Sequence, residues 1–187
     1  MPDGEMSDEW ETTAMIQDTD AARGGDDAAS LRELLELYLW DLYAGCRTIA
    51  GRLPQVASHA ADADWRTEMG ALPEAAWLRA QRMHAVRTEL SAEPEAGEDH
   101  GPDNLWMQGI LDDMDRDTRA MPCGRALDLA MAGALRKAIA AELASIRTAK
   151  AIAVRLGHRE AVQALSVNEA ELRGDEGTLD QRLMMLA

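Results

Sequence analysis

Residues 125–157 read RALDLAMAGALRKAIAAELASIRTAKAIAVRLG, and this stretch decides the fold. Leu127, Met131, Leu135, Ala138, Glu142, Ile146, Ala149, Ala153 and Leu156 recur at steps of three and four, the period that puts side chains on one face of an α-helix. The composition is rich in alanine and leucine, which favour helix, and Gly157 stands where a left-handed residue closes one. One position on the apolar stripe is a glutamate, Glu142, near its middle.

The same period continues on both sides. After Gly157 a further helix is expected from His158-Arg159 toward Leu186, through Ala161, Leu165, Asn168, Leu172, Leu179 and Leu183, with Gly174 and Gly177 loosening its second half. Before Arg125, Met121-Pro122-Cys123-Gly124 is a break. A shorter helix at 104–118 precedes it, with Leu105, Ile110, Leu111 and Met114 as its apolar face. Residues 92–103, acidic and containing Pro94, Gly97, Gly101 and Pro102, read as a surface loop. Another long helix starts after a cap at Asp62 or Asp64. Its stripe is Trp65, Met69, Leu72, Ala76, Arg79, Met83, Val86 and Leu90, so an arginine falls among core positions. Pro73 should bend it or tighten its turn. The first helix is expected from the capping box Ser30-Leu31-Arg32-Glu33 to about Ala61. Its stripe is Leu31, Leu34, Tyr38, Leu42, Cys46, Ile49, Leu53, Val56 and Ala60, and Pro54 should kink it.

Four long helices with one long crossover, itself holding a short helix, make an all-α antiparallel bundle of residues 30–187. Residues 1–29 carry nine acidic side chains against Arg23 alone, a net of −8 out of −15 for the chain, and read as a disordered acidic leader that could dock a basic partner. So negative a chain, with no Lys/Arg cluster, repels phosphate backbones and is not expected to bind nucleic acid. No run of about 18 uncharged apolar residues suggests a membrane span, and the acidic start has no signal-peptide core. Cys46 and Cys123 lie far apart in no metal-binding spacing and fit free thiols in a reducing cytoplasm.

Several further groups read as structural. His59, His84, His100 and His158 are scattered and expected at the surface. Cys46, on the inner stripe with no histidine in its layer, is expected as a core thiol. The run Asp112-Asp113-Met114-Asp115-Arg116-Asp117 lacks the glycine and terminal glutamate of a calcium loop and is expected as a solvated helix face.

Five short motifs, in order, carry a family resemblance. They are Leu31-Arg32-Glu33-Leu34 with Asp41-Leu42-Tyr43 and Arg52-Leu53-Pro54, then Trp106-Met107-Gln108-Gly109-Ile110, then Leu156-Gly157-His158-Arg159-Glu160-Ala161. Over roughly residues 30–186 the chain resembles the YciE/YciF-like ferritin-like proteins. The resemblance implies a stress-associated bacterial bundle, often dimeric, with a potential diiron centre of carboxylates and histidines. This chain departs from that centre at several positions. The helix-one ligand glutamate corresponds to Cys46, and Arg79 stands where a polar or ligand residue is expected. The helix-three Glu-His pair corresponds to Ile139 and Ala140, leaving Glu142, while helix four can offer Glu171.

A diiron site needs about four carboxylates and two imidazoles facing inward. The remaining positions, Cys46, Arg79, Ile139, Glu142 and Glu171, therefore imply a lost centre, no metal and no other cofactor. The expectation that follows is a non-enzymatic scaffold or binding protein, a homodimer in the cytoplasm. The competing expectation is a residual iron- or manganese-binding oxidase using Glu142, Glu171 and either Glu36 or Glu169. Arg79, Glu142 and Glu171 are expected to pair in the core, because a buried lone charge costs several kcal/mol.

Overall fold

The computed structural model describes residues 8–90 and 103–187, with side chains from residue 27 onward. It holds five helices: α1 (Asp8–Ala57), α2 (Ala63–Leu90), α3 (Leu105–Ala120), α4 (Arg125–Leu156) and α5 (Arg159–Leu186). The expected surface loop at 92–103 lies outside the described residues except for Asp103. There is no strand among the described residues. Consecutive long helices pack as two hairpins, α1 with α2 and α4 with α5. α1 also packs on α4, α2 on α5, and α3 lies against α1 and α4. The fold is an all-α ferritin-like bundle, with α3 in the long connection between its second and third long helices.

Four helix ends have an identifiable cause. Asp62 caps α2, its Oδ1 accepting from the amide of Trp65 at 2.8 Å. Asn104 caps α3 in the same way, from Met107 at 2.8 Å, and its Nδ2 donates to the carbonyl of Asp41 at 2.9 Å. A Cβ at Gly45 would lie 2.9 Å from that Nδ2, so the glycine lets α3 seat its cap against α1. Gly157 closes α4 at φ 70°, and His158 caps α5 by accepting from Ala161 at 3.2 Å.

α1 does not begin at Ser30. It is continuous from Asp8, so the Ser30–Glu33 box lies inside a helix whose upstream turns already offer carbonyls to those amides. Residues 1–7 and the side chains of 8–26 lie outside the described residues. Pro54 and Pro73 both lie within helices that continue past them, and α5 runs unbroken through Gly174 and Gly177.

The core follows the stripes with two corrections. Near the start of the described α1 side chains the buried positions are Leu35, Leu39, Trp40 and Leu42, while Leu34 is 41% exposed and Tyr38 only partly covered. The run 35, 39, 42, 46 keeps helical spacing equally well, and leucine pairs at 34–35 and 37 hide the choice of face. In α3 the buried face is Met107, Leu111 and Met114, and Leu105 is 75% exposed at the first turn.

Two buried polar anchors tie helices together. Asp128 of α4, 1% exposed, accepts from the amides of Ala61 and Asp62 at 2.8 and 3.0 Å, fixing the α1–α2 turn. Glu169 of α5 accepts from Arg147 at 3.2 Å, Arg173 at 2.7 Å and Lys150, clamping α5 to α4. The Lys150 hydrogen bond, with those from Arg173 and Arg147, holds its carboxyl down to about 2 against the opposing effect of burial.

A candidate charged site inside the bundle

Every long helix sends one polar side chain toward a single interior region: Cys46 from α1, Arg79 from α2, Glu142 from α4 and Asp175 from α5. The first three are 2%, 3% and 1% exposed. The Cys46 thiol donates to Glu142 Oε1 at 3.0 Å, and Arg79 Nη1 donates to Asp175 Oδ2 at 3.0 Å. Asn168 Nδ2 adds a donor to the Arg79 backbone carbonyl at 3.4 Å. Glu142 Oε2 and Arg79 Nε are buried with no hydrogen-bond partner.

The electrostatics join the two pairs. Burial pushes the Glu142 carboxyl above the usual carboxylate range, opposed first by the positive charge of Arg79 and then by the thiol hydrogen bond. Burial, and then the Glu142 charge, push the Cys46 thiol well above the ordinary thiol value. Burial also works against the Arg79 charge, but Glu142, Cys46 and Asp175 together outweigh it and hold the guanidinium protonated.

The expected pairing of Arg79 is therefore corrected in its partner. The direct hydrogen bond goes to Asp175, while Glu142 is coupled to Arg79 through charge. Glu171 belongs elsewhere: it is clamped by Arg82, whose Nη1 and Nη2 donate at 2.9 and 2.6 Å. The cause is register. The inner stripe of α5 runs 168, 172, 175, 179, and Glu171 stands one residue off it. Asp175 fills the seven-residue gap between Leu172 and Leu179 on the expected α5 stripe, and that gap is the signal in the sequence that points to it. Ile139 is buried on α4 one turn from Glu142, and Glu36 is only partly covered on α1.

The other candidates resolve into structural roles. His84 is not a free surface residue: its ring stacks on Tyr43 at 5.4 Å, and its Nδ1 is buried. His158 is a helix cap, His59 is exposed, and His100 lies outside the described residues. In the acidic run of α3, Asp112 and Asp115 meet Arg52, and Asp113 and Asp117 meet Arg116. Cys123 is exposed. Among the described residues no three His, Cys, Asp or Glu side chains come together in a way that could hold a metal ion. None of the described helices is long and apolar enough to cross a membrane.

One polar residue contributed by each of four long helices, at a common interior region, is an arrangement that bundles of the ferritin-like class can build from facing helices. The solved structures similar to this chain agree with that class. The stress protein YciF of E. coli matches with a TM-score of 0.75 over 83% of this chain and 96% of its own, at 18% identity. YcfI of Rhodopseudomonas palustris, provisionally described as a structural protein, matches with a TM-score of 0.72 over 80% of this chain and 92% of its own, at 23% identity. No family model and no curated protein matches the sequence. At these identities the likeness is one of fold.

Proposed function

We propose that the chain is a non-enzymatic, stress-associated bundle protein, acting as a scaffold or binding protein, in which an internal ion cluster stands where a diiron centre would be. The observation that carries this reading is the guanidinium of Arg79 among the inward residues of all four long helices, hydrogen-bonded to Asp175 and charge-coupled to Glu142. Two divalent ions need a summed ligand charge close to their own, from carboxylates and imidazoles. Here the donors are two carboxylates and a thiol that burial keeps protonated, with no imidazole, and a fixed cation stands among them. This donor set does not fit a dinuclear metal centre. The names of the two similar structures, a stress protein and a provisional structural protein, support the non-catalytic role.

The reading extends to a cytoplasmic homodimer. Leu34 and Leu37 are 41% and 57% exposed around Asp41 and Tyr38, an apolar area of the kind that association covers. A single monomeric mass by light scattering rules out the dimer. The main reading is tested by elemental analysis and a ferroxidase assay on full-length protein from iron-supplemented cells. The expected result is no stoichiometric iron or manganese and no ferroxidase turnover. About two metal ions per chain would overturn the proposal.

A further inference from the structure

Beside the Arg79–Asp175 pair, between α2, α4 and α5, lies a cavity of about 230 Å³. Its walls are apolar, formed by Trp65 and Leu72 of α2, Leu135 and Ile139 of α4, and Leu179 of α5. Its mouth is marked by Ala71 and Thr178, both exposed. The cavity is larger than the roughly 150 Å³ apolar void that holds a benzene ring and smaller than the usual drug-sized pocket of about 300–1,000 Å³. A one-ring or short-chain apolar body fits it, and walls of this kind hold water poorly.

The polar lining defines the other end of the occupant. The charged residues on the cavity wall are Glu68 and Asp175, and no Lys or Arg lines it. Both carboxylates are fixed by guanidinium groups: Arg182 Nε donates to Glu68 at 3.0 Å, and Arg79 Nη1 to Asp175 at 3.0 Å. A carboxylate has about four lone-pair positions, so each retains capacity for a further donor. Each guanidinium is also shared with a second carboxylate, Arg182 with Asp62 at 3.6 Å and Arg79 with Glu142. Four carboxylates thus stand against two cations, and the excess charge beside the cavity is negative, which opposes an anionic ligand and favours an ammonium.

We propose that this cavity is a binding site for a small amphipathic amine, its apolar part between Leu72, Leu135, Ile139 and Leu179 and its ammonium against Asp175 and Glu68. The cavity shares Asp175 with the interior cluster but contains neither Cys46 nor Glu142, and the binding test reads the cavity whether or not that cluster replaces a metal centre.

The test is isothermal titration calorimetry on the full chain with phenethylamine and with 3-phenylpropionate, a ligand of matched shape and opposite charge. Phenethylamine should bind saturably and 3-phenylpropionate at least about tenfold more weakly. Two variants at exposed mouth positions separate the cavity from other sites: Ala71→Trp blocks it, and Thr178→Arg places a cation over it. Circular dichroism melts confirm that both variants fold. Each should weaken phenethylamine binding at least about tenfold, a 1.4 kcal/mol loss. The proposal is overturned if phenethylamine gives no saturable heat up to about 10 mM, well beyond the millimolar range of weak specific binding. Equal binding of 3-phenylpropionate, or unchanged phenethylamine binding in both folded variants, also overturns it.

Discussion

Replacing Arg79 by methionine keeps helix propensity and most of the buried volume while removing the charge in the core. The cost falls mainly on Glu142, 1% exposed, whose raised carboxyl is held in check first by Arg79. Without the guanidinium, the cheapest response is for Glu142 to take up a proton. Doing so at pH 7, starting from an ordinary value of 4.5, costs about 3.4 kcal/mol at 1.36 kcal/mol per unit. The native protein already bears part of this cost, because its Glu142 is also raised. Asp175 adds little, since its side chain is 26% exposed and can rehydrate. The expected destabilisation at pH 7 is therefore about 2–3 kcal/mol, toward the lower end of what stranding a buried partner costs.

The pH dependence follows from the sign of the shift. A carboxyl raised in the folded state favours folding below its ordinary value and loses that contribution as pH rises through the folded value. Removing Arg79 raises Glu142 further, so the variant should lose stability over a wider span above pH 4.5 and converge on the native protein near or below it. Urea unfolding at pH 4.5, 5.5 and 7 reads the effect. Arg79→Met with Glu142→Leu should recover most of the loss, because an apolar layer replaces both charges. A loss within about 0.5 kcal/mol at pH 7, the range of ordinary surface substitutions, refutes the reasoning. So does an equal loss at every pH.

Three other outcomes are expected. Glu169, held at about 2, contributes stability that is present above the ordinary carboxylate value and lost as pH falls from there toward 2; Glu169→Gln should flatten the acid side of the stability profile, and an unchanged slope between pH 5 and 2 counts against the clamp. Asp128→Ala strands the amides of Ala61 and Asp62 at the α1–α2 turn and should cost about 2–4 kcal/mol in urea unfolding, since hydrogen bonds to a charged acceptor are worth about 1.5–3 kcal/mol. A cost below about 1 kcal/mol would show that the turn holds without it. The native protein should react with one equivalent of Ellman's reagent, at exposed Cys123, and with a second only on unfolding, because Cys46 is buried and its thiol raised. Rapid reaction of both thiols contradicts that burial.

The helices were legible because their stripes are long and their ends carry chemically specific residues. α4 spans Arg125–Leu156 as its period and Gly157 require, and Asp62, one of two possible caps, is the one that caps α2. Arg79, Cys46 and Glu142 were legible as inward residues for the same reason: a polar residue on an apolar stripe keeps its position whatever its charge. What could not be read was partner choice. Arg79 can extend in more than one direction, and whether it meets a residue at 171 or at 175 depends on how α5 is rotated against α2, which no local pattern specifies. Asp128 was hidden for a related reason. Adjacent to stripe residue Leu127, it reads as an ordinary first-turn acid until the α1–α2 turn is brought over it.

The residues of the interior cluster depend on one another. Glu142 alone in an apolar layer would either ionise at a cost of several kcal/mol or stay protonated with one oxygen unpaired. Arg79 supplies the charge that moderates its carboxyl, and Cys46 supplies a donor where an aliphatic residue would supply none. Arg79 in turn needs a hydrogen-bonded anion, which Asp175 provides at 3.0 Å while remaining partly in contact with water. The three formal charges sum to one net negative, and the unit in excess sits at the hydrated end. A divalent ion could improve that balance only by displacing the guanidinium, because two cations sharing so few acceptors in a layer of low dielectric repel strongly. On the proposed reading, the interaction that stabilises the bundle's core is therefore the same one that keeps a metal out.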